Sequence, residues 1–86
     1  MRREFVIANE QGLHARPATT LVQKANEFRC NLRLIHEGRS VDLKSIMGVL
    51  SLGVQPGSLV VVEAEGDDAA EALNAIGEHI AKMKVR

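Results

Sequence analysis

Apolar residues along this chain alternate between two spacings. In residues 4–8, Phe5 and Ile7 share one face, the two-residue period of a half-buried strand. Residues 9–12 read as a loop. From Pro17 the spacing becomes helical. Ala18, Leu21, Val22, Ala25 and Phe28 form one stripe, and Gln23, Lys24, Asn26 and Glu27 face mostly away from it. This predicts an amphipathic helix of about three turns. Alternation returns over residues 31–35, with Leu32 and Leu34 on one face. Glu37-Gly38 is a hairpin turn signal, because glycine tolerates positive φ. Val41 and Leu43 alternate on a third strand.

Ser45 is a good N-cap for a short helix through about Leu50. Gln55-Pro56-Gly57 is a turn, with proline presetting φ and glycine taking the left-handed position. Residues 59–62 are strongly β-prone and predict a central strand. Gly66-Asp67-Asp68 ends it, and one of the two aspartates is expected to cap the last helix. That helix buries Ala69, Ala72, Leu73, Ile76, Ile80 and Met83, and Gly77 weakens it by about 1 kcal/mol relative to alanine. The order is β-α-β-β-α-β-α. The simplest packing is an α+β fold, with all the helices on one face of an antiparallel sheet.

Composition narrows the function. The 86 residues fit one domain spanning residues 1–86. Aromatics are 2%, so the core is aliphatic and base-stacking modules are disfavoured. Eleven basic residues balance eleven acidic ones, which leaves no bulk basic field for nucleic acid or anionic lipid. Cys30 stands alone, so no internal disulfide forms. Met1-Arg2-Arg3-Glu4 runs into alternation, with no signal-type or membrane-spanning apolar run. A cytoplasmic protein without membrane insertion is expected. His36, His79 and Cys30 lack metal-ligand spacing, and no glycine-rich nucleotide loop is present, so neither metal nor cofactor is expected.

The strongest chemical signal is Gly12-Leu13-His14-Ala15-Arg16-Pro17, directly before the first helix. A helix N-terminus offers unpaired N–H groups and the positive end of the dipole, which suit an anion. A second positive charge is disfavoured there, which favours neutral imidazole, a nucleophile toward phosphorus. Once His14 carries a phosphoryl group, the same amides and Arg16 can hold its oxygens. A histidine in this position also occurs as a plain surface residue, Arg16 as a solvated side chain and Pro17 as a helix starter. Pro17 biases Arg16 away from the α region, which places the formal helix start at Pro17.

The second signal is Lys44-Ser45-Ile46-Met47-Gly48-Val49-Leu50. Ile46, Met47, Val49 and Leu50 are too many apolar residues for one short helix to bury, which suggests a partner-binding patch. Methionine suits a surface that accepts several partners. The alternative is that all four are core. Ser45 is either a plain N-cap or also a phosphorylation site, whose product would add about two negative charges beside the patch.

These two blocks resemble the HPr family, histidine-containing phosphocarriers of the bacterial phosphoenolpyruvate:sugar phosphotransferase system. Residues 12–18 and 43–53 carry the resemblance, the Ala64-Glu65-Gly66-Asp67 corner supports it, and it covers nearly the whole chain. It implies an open-faced β-sandwich, a four-stranded antiparallel sheet under three helices. It implies that enzyme I phosphorylates His14 from phosphoenolpyruvate, that Arg16 steadies the group, and that His14 passes it to enzyme IIA proteins or domains. Ile46, Met47 and Leu50 would be the docking patch. The protein would be a stoichiometric carrier rather than an enzyme, and a monomer.

The second block resembles Gram-positive members. There an HPr kinase/phosphorylase modifies the serine matching Ser45, and the product acts as a corepressor with catabolite control protein A. A mainly regulatory role through Ser45 is therefore the alternative function. A small-molecule-binding or acyl-phosphate-hydrolysing domain would need a preformed pocket and an arginine–asparagine pair, which the sequence does not supply.

Overall fold

In the computed structural model, which describes residues 1–83, the chain forms β1 (Arg2–Ile7), α1 (Ala15–Ala25), β2 (Asn31–His36), β3 (Arg39–Asp42), α2 (Ile46–Ser51), β4 (Ser58–Glu65) and α3 (Ala69–Met83). The four strands make one antiparallel sheet in the order β1-β4-β2-β3. The expected element order and sheet are present, and β4 lies inside the sheet as its β-prone run predicted. Ile7, Leu32, Leu34, Val60 and Val62 are fully or almost fully buried on the face that the helices cover. From above they meet Ala18, Leu21 and Ala25 of α1, Val49 of α2, and Leu73 and Ile76 of α3. The opposite face of the sheet has no helix among the described residues.

The Glu37-Gly38 turn joins His36 to Arg39 with both turn residues at positive φ, +51° and +82°. This backbone twist suits a two-residue hairpin.

Leu43, expected on the third strand, lies just beyond β3, which ends at Asp42. Three other boundary shifts have reasons outside the local pattern. β1 starts at Arg2, where Arg2 pairs with Glu63 of β4 and donates from Nε to its carboxylate at 2.9 Å. α1 starts at Ala15, not at Pro17, with His14 as its N-cap. It ends at Ala25, so Phe28 leaves the helical stripe and packs half-buried against the core from the following turn. At the start of α3 the Asp68 carbonyl accepts the Ala72 N–H at 2.9 Å. Its carboxylate reaches away from the helix. It accepts the N–H groups of Arg29 and Cys30, both at 2.9 Å, and so pins the chain before β2 to the start of α3. Those amides, Arg29 first, hold the Asp68 carboxyl below its usual value. Burial, with Asp68 beside it, pushes the Cys30 thiol up.

Gly77 has a packing role that its helix propensity hides. A Cβ there would sit 3.0 Å from Cε1 of Phe5, so the bare backbone of α3 makes room for the ring on β1.

Candidate functional site

The segment before α1 is held from below. Gly12 has φ +61°, and a Cβ on it would collide with the Val54 carbonyl, so glycine is required on both counts. Its N–H donates to the Asn9 carbonyl at 3.3 Å, and Asn9 Nδ2 donates back to the Gly12 carbonyl at 2.9 Å. Leu13 follows as a fully buried peg, with its N–H on the Val54 carbonyl at 3.0 Å. Burying such a side chain contributes about 1.5–3 kcal/mol. The chain therefore reaches His14 from a fixed point.

His14 takes an extended conformation, φ −123° and ψ 153°, as the N-cap of α1. Its ring is half-buried and makes no capping bond, and the first turn of α1 carries no acidic residue. Pro17 has no N–H to offer. The positive end of this eleven-residue helix therefore has no capping bond from His14 and no acidic residue in its first turn. Ala15 is left-handed at φ +50°, a conformation costing roughly 1–2 kcal/mol for a residue with a Cβ. Its carbonyl accepts the Thr19 hydroxyl at 3.1 Å. Strain of this kind persists where the surroundings over-determine the backbone. Here the surroundings are the Gly12–Leu13 anchor on one side and the helix on the other.

Arg16 is exposed and, with Ala15, Pro17, Thr20, Glu10 and Met83, lines a surface groove of about 620 Å³. His14 is not in that lining. At the groove wall, Thr20 donates to the Pro17 carbonyl at 3.1 Å, and its oxygen lies 3.1 Å from Nε2 of His79. Burial, with Lys24 and Lys82 nearby, lowers the His79 pKa, and Glu27 opposes them.

Ser45 accepts the Gly48 N–H on its Oγ at 3.1 Å, as the capping pattern predicted. It stands at the far end of α1 from His14. Asn26, the C-cap of α1, donates to the Lys44 carbonyl at 3.1 Å, and Lys44 Nζ donates to the Phe28 carbonyl at 2.7 Å. An eleven-residue helix spans about 16 Å, so a group on Ser45 cannot touch one on His14. On α2, Val49 is buried, Ile46 is half-buried against the core, and Met47 and Leu50 are 74% and 38% exposed. The alternative that all four are core residues is excluded by Met47.

Two contributors escaped sequence reading. Asn9, buried and bonded to Gly12, ties the loop, and its only local signal is its place three residues before a glycine. The left-handed turn at Ala15 has no sequence signal, since alanine ordinarily favours a right-handed helix. Among the described residues, no group of three or more His, Cys, Asp or Glu side chains is placed to hold a metal ion.

Known proteins resemble this chain over nearly its whole length. The model of the family described as "PTS HPr component phosphorylation site" matches residues 1–82. The crystal structure of HPr-C-His from Thermoanaerobacter tengcongensis is 40% identical, with TM-score 0.96, covering 100% of this chain and 97% of that one. The phosphocarrier protein HPr of Bacillus anthracis is 38% identical, with TM-score 0.89, over 92% and 94% of the two chains. Crh, a catabolite repression protein of Bacillus subtilis seen as a swapped dimer, is 39% identical, with TM-score 0.77, over 90% and 88%.

Proposed function

The chain belongs to the HPr family of the phosphotransferase system, and from that premise we propose that it carries a phosphoryl group on His14. The donor is enzyme I, charged from phosphoenolpyruvate, and the acceptors are sugar-specific enzyme IIA proteins or domains. The observation that carries this reading is the placement of a half-exposed imidazole at the uncapped, acid-free N-terminus of α1.

One ring nitrogen attacks phosphorus. The N–P bond forms as the bond from phosphorus to the donor breaks, and that electron pair leaves with the donor. Transfer onward is the same exchange with the acceptor's nucleophile. Backbone amides at the start of α1 and the Arg16 guanidinium offset the charge gained by His14. The protein supplies no turnover of its own and acts as a stoichiometric carrier. Ile46, Met47 and Leu50 form the docking patch for its partners. The working unit is a single domain over residues 1–86, of which 84–86 lie outside the described residues. No helix among the described residues is long and apolar enough to cross a membrane, in keeping with a cytoplasmic carrier.

The likeness to Crh and the bonded cap at Ser45 support a second output. HPr kinase/phosphorylase phosphorylates Ser45, and the product acts with catabolite control protein A in catabolite repression. The new charge lies beside the docking patch and about 16 Å of helix from His14. It therefore weakens phosphorylation by enzyme I through the shared partner surface rather than by contact with the imidazole.

Labelling separates the two outputs. Incubation with phosphoenolpyruvate and enzyme I gives an acid-labile label, absent from His14→Ala. A label that survives acid, or that remains in His14→Ala, refutes the assignment.

A further inference from the structure

The bare face of the sheet carries rows of side chains that cross all four strands. One row runs Arg2 on β1, Glu63 on β4, Arg33 on β2 and Asp42 on β3, each opposite the next. Its charges alternate plus, minus, plus, minus. The neighbouring row runs Glu4, Val61, Ile35 and Ser40 in the same strand order. Val61 and Ile35 are half-buried at the middle of the sheet, and beyond them Val6 and Leu59 are 52% and 53% exposed.

We propose that this face binds a second copy of the chain about a two-fold axis parallel to the strands, between β4 and β2. Rotation about that axis keeps each row level with itself and reverses the strand order. Arg2 then meets Asp42 of the other copy, and Glu63 meets Arg33, each pair occurring twice. The same rotation sets Val61 against Ile35, and Glu4 against the Ser40 hydroxyl, which can donate to it. A row reading plus, minus, minus, plus would bring like charges together under this operation. The observed order does not.

The geometry is that of two aligned sheets about 10 Å apart, joined by an isologous contact. The apolar centre supplies attraction and the charged row fixes register. Arg2 already pairs with Glu63 within one copy, so the second copy adds partners rather than supplying the first. Four short strands give a contact at the small end of specific interfaces. The dimer is therefore weak and forms with rising concentration, where the family resemblance alone implies a monomer. His14, Ser45 and Met47 lie on the helical side and stay accessible in it.

Sedimentation equilibrium of the full chain at low salt, from about 10 μM to about 1 mM, the range of weak complexes, tests this. The average mass rises from 9.4 kDa toward twice that value. Arg33→Glu weakens association about tenfold or more by facing Glu63 of the other copy. Combining it with Glu63→Arg restores association. Arg33→Glu also puts a like charge beside Glu63 in its own sheet, so Ile35→Thr serves as a second variant that keeps strand propensity. It too weakens the dimer, with thermal melts confirming that each variant folds. A constant monomer mass up to 1 mM would overturn the proposal. So would a dimer indifferent to both variants, which would point to strand exchange or a contact through the helices.

Discussion

Two positions three residues apart, one before and one within the first turn of α1, have left-handed backbones, and only one of them is glycine. Gly12 cannot accept a side chain, because the Val54 carbonyl occupies the place of its Cβ. Gly12→Ala is expected to lose about 2 kcal/mol or more, the left-handed cost plus the displacement of Val54. Urea unfolding measures this, and a loss within about 0.5 kcal/mol, the range of an ordinary surface change, would contradict it. Ala15 is the opposite case, since its φ of +50° is unfavourable for alanine. Ala15→Gly relieves that strain. Its stability should be unchanged or raised, whereas glycine within a regular helix costs about 1 kcal/mol. A loss of that size in the same unfolding experiment would mean that the turn at Ala15 is not strained.

His79 gives a pH signature. Its pKa is lowered in the fold, by burial first and then by Lys24 and Lys82. The unfolded chain therefore binds this proton more readily than the folded one. The contribution of His79 is complete above the ordinary value of 6.5 and is lost as pH falls from there through the lower folded value. Thermal melts should show stability declining below about pH 6.5, with a shallower decline in His79→Gln. Equal slopes for the two proteins would contradict the assignment. Asp68 also has a lowered pKa, but its loss falls below the ordinary carboxyl value of 3.8, in a separate window.

The six-residue helix α2 depends on its cap and on one buried side chain, Val49. Ser45→Ala removes the acceptor for the Gly48 N–H and should cost about 1 kcal/mol. Ser45→Asp keeps a capping oxygen and adds a charge beside Met47. It should hold nearly normal stability while slowing phosphorylation of His14 under limiting enzyme I. If Ser45→Asp unfolds as readily as Ser45→Ala, the cap is not what stabilises α2. If its phosphorylation rate is unchanged, the charge does not act through the docking patch. α3 shows the converse. Its Gly77 reads as a weak point in the helix, yet the Phe5 ring fills the space that a side chain would need.

In the molecule as a whole, the layers were legible because burial repeats locally. Strand alternation and helical stripes give the seven elements in order, and the β-prone run at 59–62 marks the inner strand. Contacts between residues far apart in sequence were not legible. Arg2 joins β1 because Glu63 faces it, Phe28 leaves α1 to fill the core from a turn, and Asp68 turns from its own helix to amides 38 and 39 residues away. The candidate site divides the same way. His14, Arg16 and Ser45 stand out as residue types beside helix starts. The support that Asn9, Leu13 and Val54 give the segment before His14 depends on tertiary closure that no local window contains.

The most direct measurement is tandem mass spectrometry under neutral conditions, with phosphorus-31 NMR, on the protein charged by enzyme I and phosphoenolpyruvate. A single phosphoramidate that maps to His14 and disappears on acidification is the predicted result. A phosphoryl group located on any other residue, with His14 unmodified, would contradict the account.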